Sequence, residues 1–280
     1  MARPFHYVDV FGTDRFTGNP LPVVSEADGL STEQMLGMTR WFNHSETTFL
    51  LPATDPKADY RVRIFTVAGE LPFAGHPTLG SAHAWLAGGG KPKRSDVVVQ
   101  ECGAGLVSVR RDAGRLSFAA PPLIRGGQPT EQEIAEVVDV LQIDRAAIVD
   151  ATWADNGPGW IAVMLESADA VLAVEPRRYR ASPIDIGIVG PRAPGGETTF
   201  ELRAIFYDRQ GSLVEDPVTG SLNASVGQWL FATGRASNPY VAAQGTRLGR
   251  TGRVHVEQDS AGQVWVGGAT RTVFSGQSEG

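Results

Sequence analysis

The feature of this sequence that most constrains its fold is an internal repeat. Residues 76–81 read HPTLGS, and residues 216–221 read DPVTGS, 140 positions later. An Ile-Phe pair precedes each segment and a Trp-Leu pair follows each, in the same order. Self-similarity that extends over whole supersecondary units is typical of a chain with two copies of one unit. The repeat therefore predicts two similar domains.

Each copy of the repeat predicts a strand, a glycine-containing loop and an apolar helix. We expect Pro77 and Pro217 at the first helical position, where the missing N–H removes no intrahelical hydrogen bond. Helix N-termini carry N–H groups without helical partners and the positive end of the dipole, so they favour anions. If the two domains face each other about a pseudo-twofold axis, both N-termini point into one cleft suited to a small carboxylate.

Length and composition agree with a folded chain of two domains. The 280 residues are 42% hydrophobic and 20% charged, which is enough apolar material to form sizeable cores. Residues 121–129 are rich in proline and glycine and form the best linker, so the predicted domains are residues 1–120 and 121–280. The sequence leaves open whether the last strand, residues 264–272, crosses back to the first domain. Residues 275–280 are predicted to be a disordered tail.

Charge and motif content exclude several classes of function. The net charge is −6 and no dense run of Lys and Arg occurs, so no nucleic-acid partner is expected. No stretch approaches about 18 consecutive apolar residues, and the first residues resemble no signal peptide, so we predict a cytoplasmic protein without a membrane partner. The five histidines show no HxH or HExxH spacing, and no metal site is predicted. The single cysteine, Cys102, excludes an internal disulfide and any mechanism that needs two thiols.

A helix-to-strand junction is predicted around Ser45 and Glu46. Ser31 with Gln34 three residues later forms a capping box, which predicts the start of a helix. That helix is expected to end near residues 43–46, and residues 47–51 are typical of a strand. Ser45 and Glu46 therefore lie between two ordered elements.

Five short motifs resemble those of the PhzF family, the phenazine-biosynthesis isomerases and their relatives. They are GNP at 18–20, SETTF at 45–49, AGHPTLG at 74–80, EDPVTGS at 215–221, and QG at 244–245 with GR at 249–250. The resemblance implies a mixed α/β (α+β) fold of the diaminopimelate epimerase type. That fold has two pseudo-symmetric domains, each with a β-sheet curled around a central helix, and a site between them. The central helices would begin at Pro77 and Pro217, and a homodimer is a family expectation.

The resemblance also implies how this chain moves a proton. Epimerases of that superfamily use one thiol from each domain, but neither matching position holds a cysteine here. The family instead implies one carboxylate, Glu46, as the acid and base. A single carboxyl group can take a proton on one oxygen and return it after a small displacement, which calls for a pKa raised by burial. This chemistry needs no cofactor, and no GxGxxG or P-loop motif is present to hold one.

The other predicted site residues follow from the same motifs. His76 and Asp216 would contact polar groups of the substrate and tune Glu46. The predicted substrate-binding residues are Ser45, Gly75, Gly220, Ser221 and Asn19. Asp216 and Ser221 could have structural roles as well. Asp216 could cap the helix that follows it, and the Ser221 hydroxyl could bond to its own backbone.

The leading hypothesis is a cofactor-free isomerase that acts on a small cyclic amino or hydroxy carboxylate. The named candidate substrate is trans-2,3-dihydro-3-hydroxyanthranilate, the phenazine precursor. Two alternatives stay open: another proton-abstraction enzyme on the same residues, such as a dehydratase or lactone isomerase, and a catalytically silent member that binds a metabolite or a protein. Pro22, His44 and Leu222-Asn223 depart from the family pattern near the expected cleft, which leaves the substrate open.

Overall fold

The computed structural model describes residues 2–112, 114–208 and 211–278. The described chain divides into two compact units. The first unit contains residues 2–119 together with 267–278, and the second contains residues 120–266. The sequence left open whether the last strand returns to the first domain, and residues 267–278 lie in the first unit.

The described residues form seventeen strands and five α-helices. The strands are β1 (Arg3–Val10), β2 (Asn19–Val24), β3 (Thr47–Leu51), β4 (Tyr60–Thr66), β5 (Gly69–Leu71), β6 (Val97–Cys102), β7 (Gly105–Asp112), β8 (Arg115–Ala119), β9 (Asp150–Trp153), β10 (Trp160–Met164), β11 (Asp185–Pro191), β12 (Phe200–Tyr207), β13 (Leu213–Asp216), β14 (Tyr240–Gln244), β15 (Gly252–Gln258), β16 (Val264–Gly268) and β17 (Thr270–Ser278). The α-helices are α1 (Thr32–Phe42), α2 (Gly75–Ala87), α3 (Glu131–Leu141), α4 (Ala168–Ala173) and α5 (Gly220–Ala232). None of these described helices is long and apolar enough to cross a membrane.

The two units repeat one pattern of strand pairing. In the first unit β1–β2, β3–β4 and β6–β7 are antiparallel, whereas β2–β3 and β4–β6 are parallel. In the second unit β9–β10, β11–β12 and β14–β15 are antiparallel, whereas β10–β11 and β12–β14 are parallel. Parallel neighbours need a crossover connection, and the helices α1, α2, α4 and α5 lie in these four connections. The repeat seen in the sequence is thus a repeat of topology.

The helix α2 forms the core of the first unit. It contacts β1, β2, β3, β4, β6, β7, β8 and β17, so the sheet curls around it. A helix that is surrounded in this way must be apolar or small on every side, and α2 carries Leu79, Gly80, Ala82 and Ala84 at buried positions. The matching helix α5 is buried to a similar extent in the second unit. The predicted central helices are therefore present.

The positions of the two prolines differ from the prediction of a first helical position. Pro77 is the third residue of α2, and Pro217 lies before Thr219, the N-cap residue of α5. The prediction was wrong for Pro217 because β13 continues to Asp216 and the chain needs a short turn before the helix begins. At Pro77 no hydrogen bond is lost, since the first N–H groups of a helix have no partner inside it.

The C-terminal segment is ordered by strand pairing. The strand β17 pairs antiparallel with β1, from Arg3 opposite Ser278 to Val10 opposite Thr270. The prediction of a disordered tail was therefore wrong for residues 275–278, while residues 279–280 lie outside the described residues. Main-chain hydrogen bonds to β1 hold this polar segment, and such bonds leave no pattern in the side chains of the sequence.

The junction at Glu46 has the predicted form. The Ser31 side chain accepts a hydrogen bond from the Gln34 N–H and the Gln34 side chain accepts one from the Ser31 N–H, which completes the capping box of α1. The helix ends at Phe42, and Asn43 adopts the left-handed conformation, with φ of 53°. This ending brings Glu46 directly before β3.

One carboxyl group in the second unit predicts a pH dependence of stability. Asp185 begins β11, and burial raises its pKa to about 6, although the Tyr207 N–H that donates to it at 2.9 Å opposes the shift. The folded state thus binds this proton more tightly than the unfolded state, so its stabilisation is full below pH 4 and is lost as the pH rises through 6. We expect Asp185→Asn, which keeps the acceptor oxygen, to raise the free energy of unfolding at pH 8 by about 1–3 kcal/mol. Urea unfolding of the unchanged protein and of Asp185→Asn at pH 4 and pH 8 measures this difference. A free energy of unfolding that changes equally with pH in the two proteins would contradict the prediction.

Candidate active site

Three residues of the first unit that are distant in sequence meet at one ring nitrogen. The Nδ1 atom of His76 lies 3.4 Å from Oε2 of Glu46 and 3.4 Å from Nδ2 of Asn19. Glu46 comes from the α1–β3 junction, His76 from the first turn of α2, and Asn19 from the start of β2. Fold and sequence pattern therefore place a carboxyl group, an imidazole and an amide side by side.

The imidazole of His76 is neutral at physiological pH. Its side chain is only 4% exposed, and burial lowers its pKa to about 3, with a further contribution from the nearby His44. The backbone carbonyl of Pro20 opposes this shift without reversing it. The contact between His76 and Glu46 is consequently a contact between a carboxyl group and an uncharged ring, in which Nδ1 can accept a hydrogen bond.

The loop before Asn19 is held by a buried carboxylate. Asp9 accepts the Gly18 N–H at 2.8 Å and the Thr17 N–H at 3.0 Å. Asn19 itself is fully buried and pairs with Val10 on β1. Its amide is thus supplied to His76 from a fixed position.

Ser45 and Gly75 flank this group of residues along the chain. Ser45 is partly buried and directly precedes Glu46, and Gly75 is buried as the first residue of α2. The N-cap residue of α2 is Ala74, whose side chain has no group to cap the helix. The N-cap residue therefore supplies no side-chain acceptor to the N–H groups of the first turn. Such N–H groups can bind an anion.

In the second unit Asp216 lies at the start of the turn that leads into α5. It is the last residue of β13 and is 8% exposed. The Thr219 hydroxyl donates to Oδ2 of Asp216 at 2.6 Å. Asp216 therefore receives its hydrogen bond from the side chain of Thr219, and it is Thr219 that occupies the N-cap position of α5.

Ser221 and Gly220 form the first turn of α5. The Trp160 indole N–H donates to Oγ of Ser221 at 3.1 Å, and the Asn156 amide donates to the Ser221 carbonyl at 2.9 Å. A hydroxyl that accepts in this way keeps its own hydrogen for a further bond. Ser221 is thus oriented by Trp160.

Sequence reasoning misses four polar residues around these positions. Gln244 and Thr219 lie inside the family-like motifs without a predicted role, and Asn156 and Trp160 lie outside those motifs. One signal could have found the first of them: Gln100 and Gln244 are 144 positions apart, the same separation as Trp85 and Trp229. A glutamine that recurs in register with the repeat indicates a shared structural task.

The only cysteine lies in a hairpin and not in either helix N-terminus. Cys102 ends β6, and its Sγ is 3.5 Å from the Gly105 carbonyl in the turn to β7. Burial raises the pKa of its thiol, so the thiolate that a nucleophile or base would need is disfavoured.

Comparisons with known proteins find similar proteins over almost the whole chain. The family model PhzC-PhzF, described as phenazine biosynthesis-like protein, matches residues 8–276. The chain is 34% identical to antisense-enhancing sequence 1 of Schizosaccharomyces pombe, with 98% of each chain covered. It is 30% identical to the trans-2,3-dihydro-3-hydroxyanthranilate isomerase of Pseudomonas aeruginosa, with 91% of this chain and 90% of that protein covered.

The fold also recurs among solved structures. A protein of the PhzF family from Enterococcus faecalis superimposes with a TM-score of 0.80 at 21% identity, and all of both chains is covered. This similarity confirms the predicted mixed α/β fold of the diaminopimelate epimerase type.

Proposed function

The chain belongs to the phenazine biosynthesis-like (PhzC-PhzF) family and is an isomerase, and on this premise we propose that Glu46 moves a single proton within its substrate. The observation that carries the proposal is the contact between Glu46 and His76. A base must be close to groups that tune it but must not be neutralised by a fixed cation. The uncharged ring of His76 meets this requirement: its Nδ1 lies 3.4 Å from Oε2 of Glu46, adds no positive charge, and can accept a hydrogen bond from the carboxyl group once that group is protonated.

The surroundings of Glu46 support its use in both directions of proton transfer. Its side chain is 16% exposed, so water has limited access to a proton that it holds. A shielded carboxyl group can remove a proton from one carbon and return it to another carbon on the same face of the substrate. The reaction balances within one molecule: one C–H bond breaks, another forms, and the double bond moves between them.

The remaining predicted residues would bind the substrate. Asp216 accepts hydrogen bonds from its polar groups, and the Ser221 hydroxyl with the first N–H groups of α5 binds its carboxylate. The backbone N–H groups of Gly75 and Gly220 also donate to the substrate carboxylate, and His76, Asn19 and Ser45 contact the part of the substrate beside Glu46. No step of this proposal calls for a cofactor.

For the substrate we propose a small cyclic amino or hydroxy carboxylate, with trans-2,3-dihydro-3-hydroxyanthranilate as the named candidate. The proposal is supported by the Pseudomonas aeruginosa relative that carries this isomerase name at 30% identity. The test is incubation of the protein with this compound in D₂O, followed by absorbance and mass spectrometry. Conversion to an isomer of equal mass with little deuterium would support a shielded carboxyl group that returns the same proton.

The same experiment separates the competing reactions. Loss of water from the substrate would indicate a dehydratase, in which a neighbouring acid expels the hydroxyl group. Binding without any turnover of this or related carboxylates would favour the catalytically silent alternative. No conversion and no binding in a folded sample would exclude this substrate.

Replacement of the cysteine tests whether a thiol takes part. We expect Cys102→Ser to leave the conversion rate unchanged, because the thiol lies in the β6–β7 hairpin and its pKa is raised by burial. The measurement is the rate of isomer formation by both proteins under identical conditions. A loss of most of the activity in a folded Cys102→Ser variant would show that the carboxyl mechanism is incomplete.

A further inference from the structure

We propose that Gln244 is a positioning residue that orients the carboxylate of Asp216 by acting through Thr219. The inference rests on the substrate-binding role proposed above for Asp216. Gln244 is the last residue of β14 and is fully buried beneath the turn between β13 and α5.

Gln244 makes four hydrogen bonds with this turn and with the helix. Its Nε2 donates to Oγ1 of Thr219 at 2.9 Å and to the Asp216 carbonyl at 3.3 Å. Its Oε1 accepts the Thr219 N–H at 3.0 Å and Nδ2 of Asn223 at 2.8 Å. Two N–H donors face Oε1 and two oxygens face Nε2, so only one orientation of the amide satisfies all four groups.

This orientation fixes the direction of the next hydrogen bond. Because Oγ1 of Thr219 accepts from Gln244, the hydroxyl hydrogen is left to donate, and Oδ2 of Asp216 lies 2.6 Å away. A hydrogen bond from a hydroxyl to an ionised carboxylate at this distance is among the stronger ones in proteins. In a buried network each bond also polarises the next. The amide of Gln244 thus directs the hydroxyl hydrogen of Thr219 toward the Asp216 carboxylate.

The first unit contains a matched glutamine. Gln100 lies on β6, is fully buried and donates from Nε2 to Oγ1 of Thr78 at 3.0 Å. Its Oε1 accepts from the Tyr60 hydroxyl at 2.8 Å. Gln100 therefore anchors the N-terminal turn of α2 through Thr78, as Gln244 anchors that of α5 through Thr219. Its other partner is the Tyr60 hydroxyl, so it has no hydrogen-bonded connection to Asp216 among these contacts. A Gln100 variant thus measures how much stability is lost when such an anchor is disturbed.

The decisive variant is Gln244→Glu, which keeps the shape and replaces the amide donor by an acceptor. An ionised carboxylate cannot donate to Thr219, so the threonine hydroxyl turns toward it and Asp216 loses the hydrogen bond from Thr219. We expect kcat/KM to fall about 10- to 100-fold, because the Asp216 carboxylate proposed to bind the substrate loses a charge-assisted hydrogen bond. Lowering the pH should restore part of this loss relative to the unchanged protein, because a protonated carboxyl group can again donate to Thr219.

Control variants separate positioning from a general loss of structure. Gln100→Glu should lower the melting temperature about as much as Gln244→Glu does, and leave kcat/KM and its pH profile close to those of the unchanged protein. Thr219→Ser should retain activity, whereas Thr219→Val should match Gln244→Glu in kcat/KM, and the two losses should not add in the double variant. Equal losses of kcat/KM in the Gln100 and Gln244 variants would overturn the proposal.

A second readout does not depend on turnover of any particular substrate. The carboxyl carbon-13 signal of Asp216, followed against pH, should titrate at a higher pH in Gln244→Glu than in the unchanged protein, and also in Thr219→Val, which adds no charge, because the ionised form has lost the Thr219 donor. An unchanged titration would overturn the proposal even if activity falls. If the unchanged protein converts no candidate substrate, the proposed function fails while the titration still decides the role of Gln244.

Discussion

Replacing Glu46 with glutamine is expected to lower the rate of isomerisation by about 10²–10⁴-fold, the usual contribution of a positioned acid or base. The substitution keeps the size of the side chain and its place beside His76, 3.4 Å from Nδ1. An amide cannot accept a proton from carbon, so both halves of the proposed transfer are lost at once. The loss should appear in kcat, with KM little changed, because the groups proposed to bind the substrate are untouched.

The control for this experiment is a glutamate of the same unit with no place in the proposed site. Glu33 is exposed in the first turn of α1, and Glu33→Gln changes the net charge of the protein by the same amount. We expect it to retain full activity. Activity of Glu46→Gln within a few-fold of the unchanged protein, measured by isomer formation in D₂O, would reject Glu46 as the base and leave another group of the first unit to be sought.

The presence of two similar domains could be predicted from the sequence because its determinants repeat locally, whereas the sheet around each helix was implied by the resemblance to the family. The two loop motifs, 140 positions apart, each precede a helix that is small or apolar on every side, and such a helix must be buried on every side. The capping box at Ser31 and Gln34 marks the start of α1 by side chains alone. Patterns of this kind act within one or two turns of the chain, where the sequence is sufficient.

The parts that the sequence did not predict depend on distant main-chain contacts. The segment 275–278 is polar, and only its pairing with β1 makes it a strand. The start of α5 at Gly220 follows from β13 and from the hold of Gln244 on Thr219, neither of which is local to Pro217. The preference of proline for the first helical position describes an isolated helix, whereas here tertiary contacts determine where α5 begins.

The candidate site divides in the same way. The motifs were sufficient to select Asn19, Glu46 and His76, which the structure brings together at one nitrogen atom. The neutral state of His76 could not be read from the sequence, because it results from burial and from the proximity of His44. The groups that orient the candidate residues, such as Gln244 and Trp160, are unremarkable residue types whose task is visible only in their hydrogen bonds.

Substitution of Gly18 by alanine is expected to reduce the free energy of unfolding by about 3–5 kcal/mol, since it combines overpacking with the loss of a buried hydrogen bond. A Cβ atom at this position would overlap the Val10 carbonyl oxygen and Oδ1 of Asp9, and would lie 2.5 Å from the Gly12 nitrogen. Main-chain atoms of a paired strand cannot move aside as a flexible side chain can. Urea unfolding measures the loss directly, and a decrease below about 1 kcal/mol would show that the loop relaxes at little cost.

The comparison variant is Gly37→Ala, which places the same methyl group in the middle of α1 with no atom within 4 Å. Alanine stabilises a helix interior relative to glycine, so this variant should gain about 0.5–1 kcal/mol. The two substitutions add the same atoms and should change the free energy of unfolding in opposite directions.

Gly18 also supplies an N–H to Asp9 at 2.8 Å directly before Asn19, so the folded fraction of Gly18→Ala should show reduced kcat/KM as Asn19 shifts from His76. A destabilised variant with unchanged kcat/KM would mean that Asn19 does not need this loop to remain beside the imidazole.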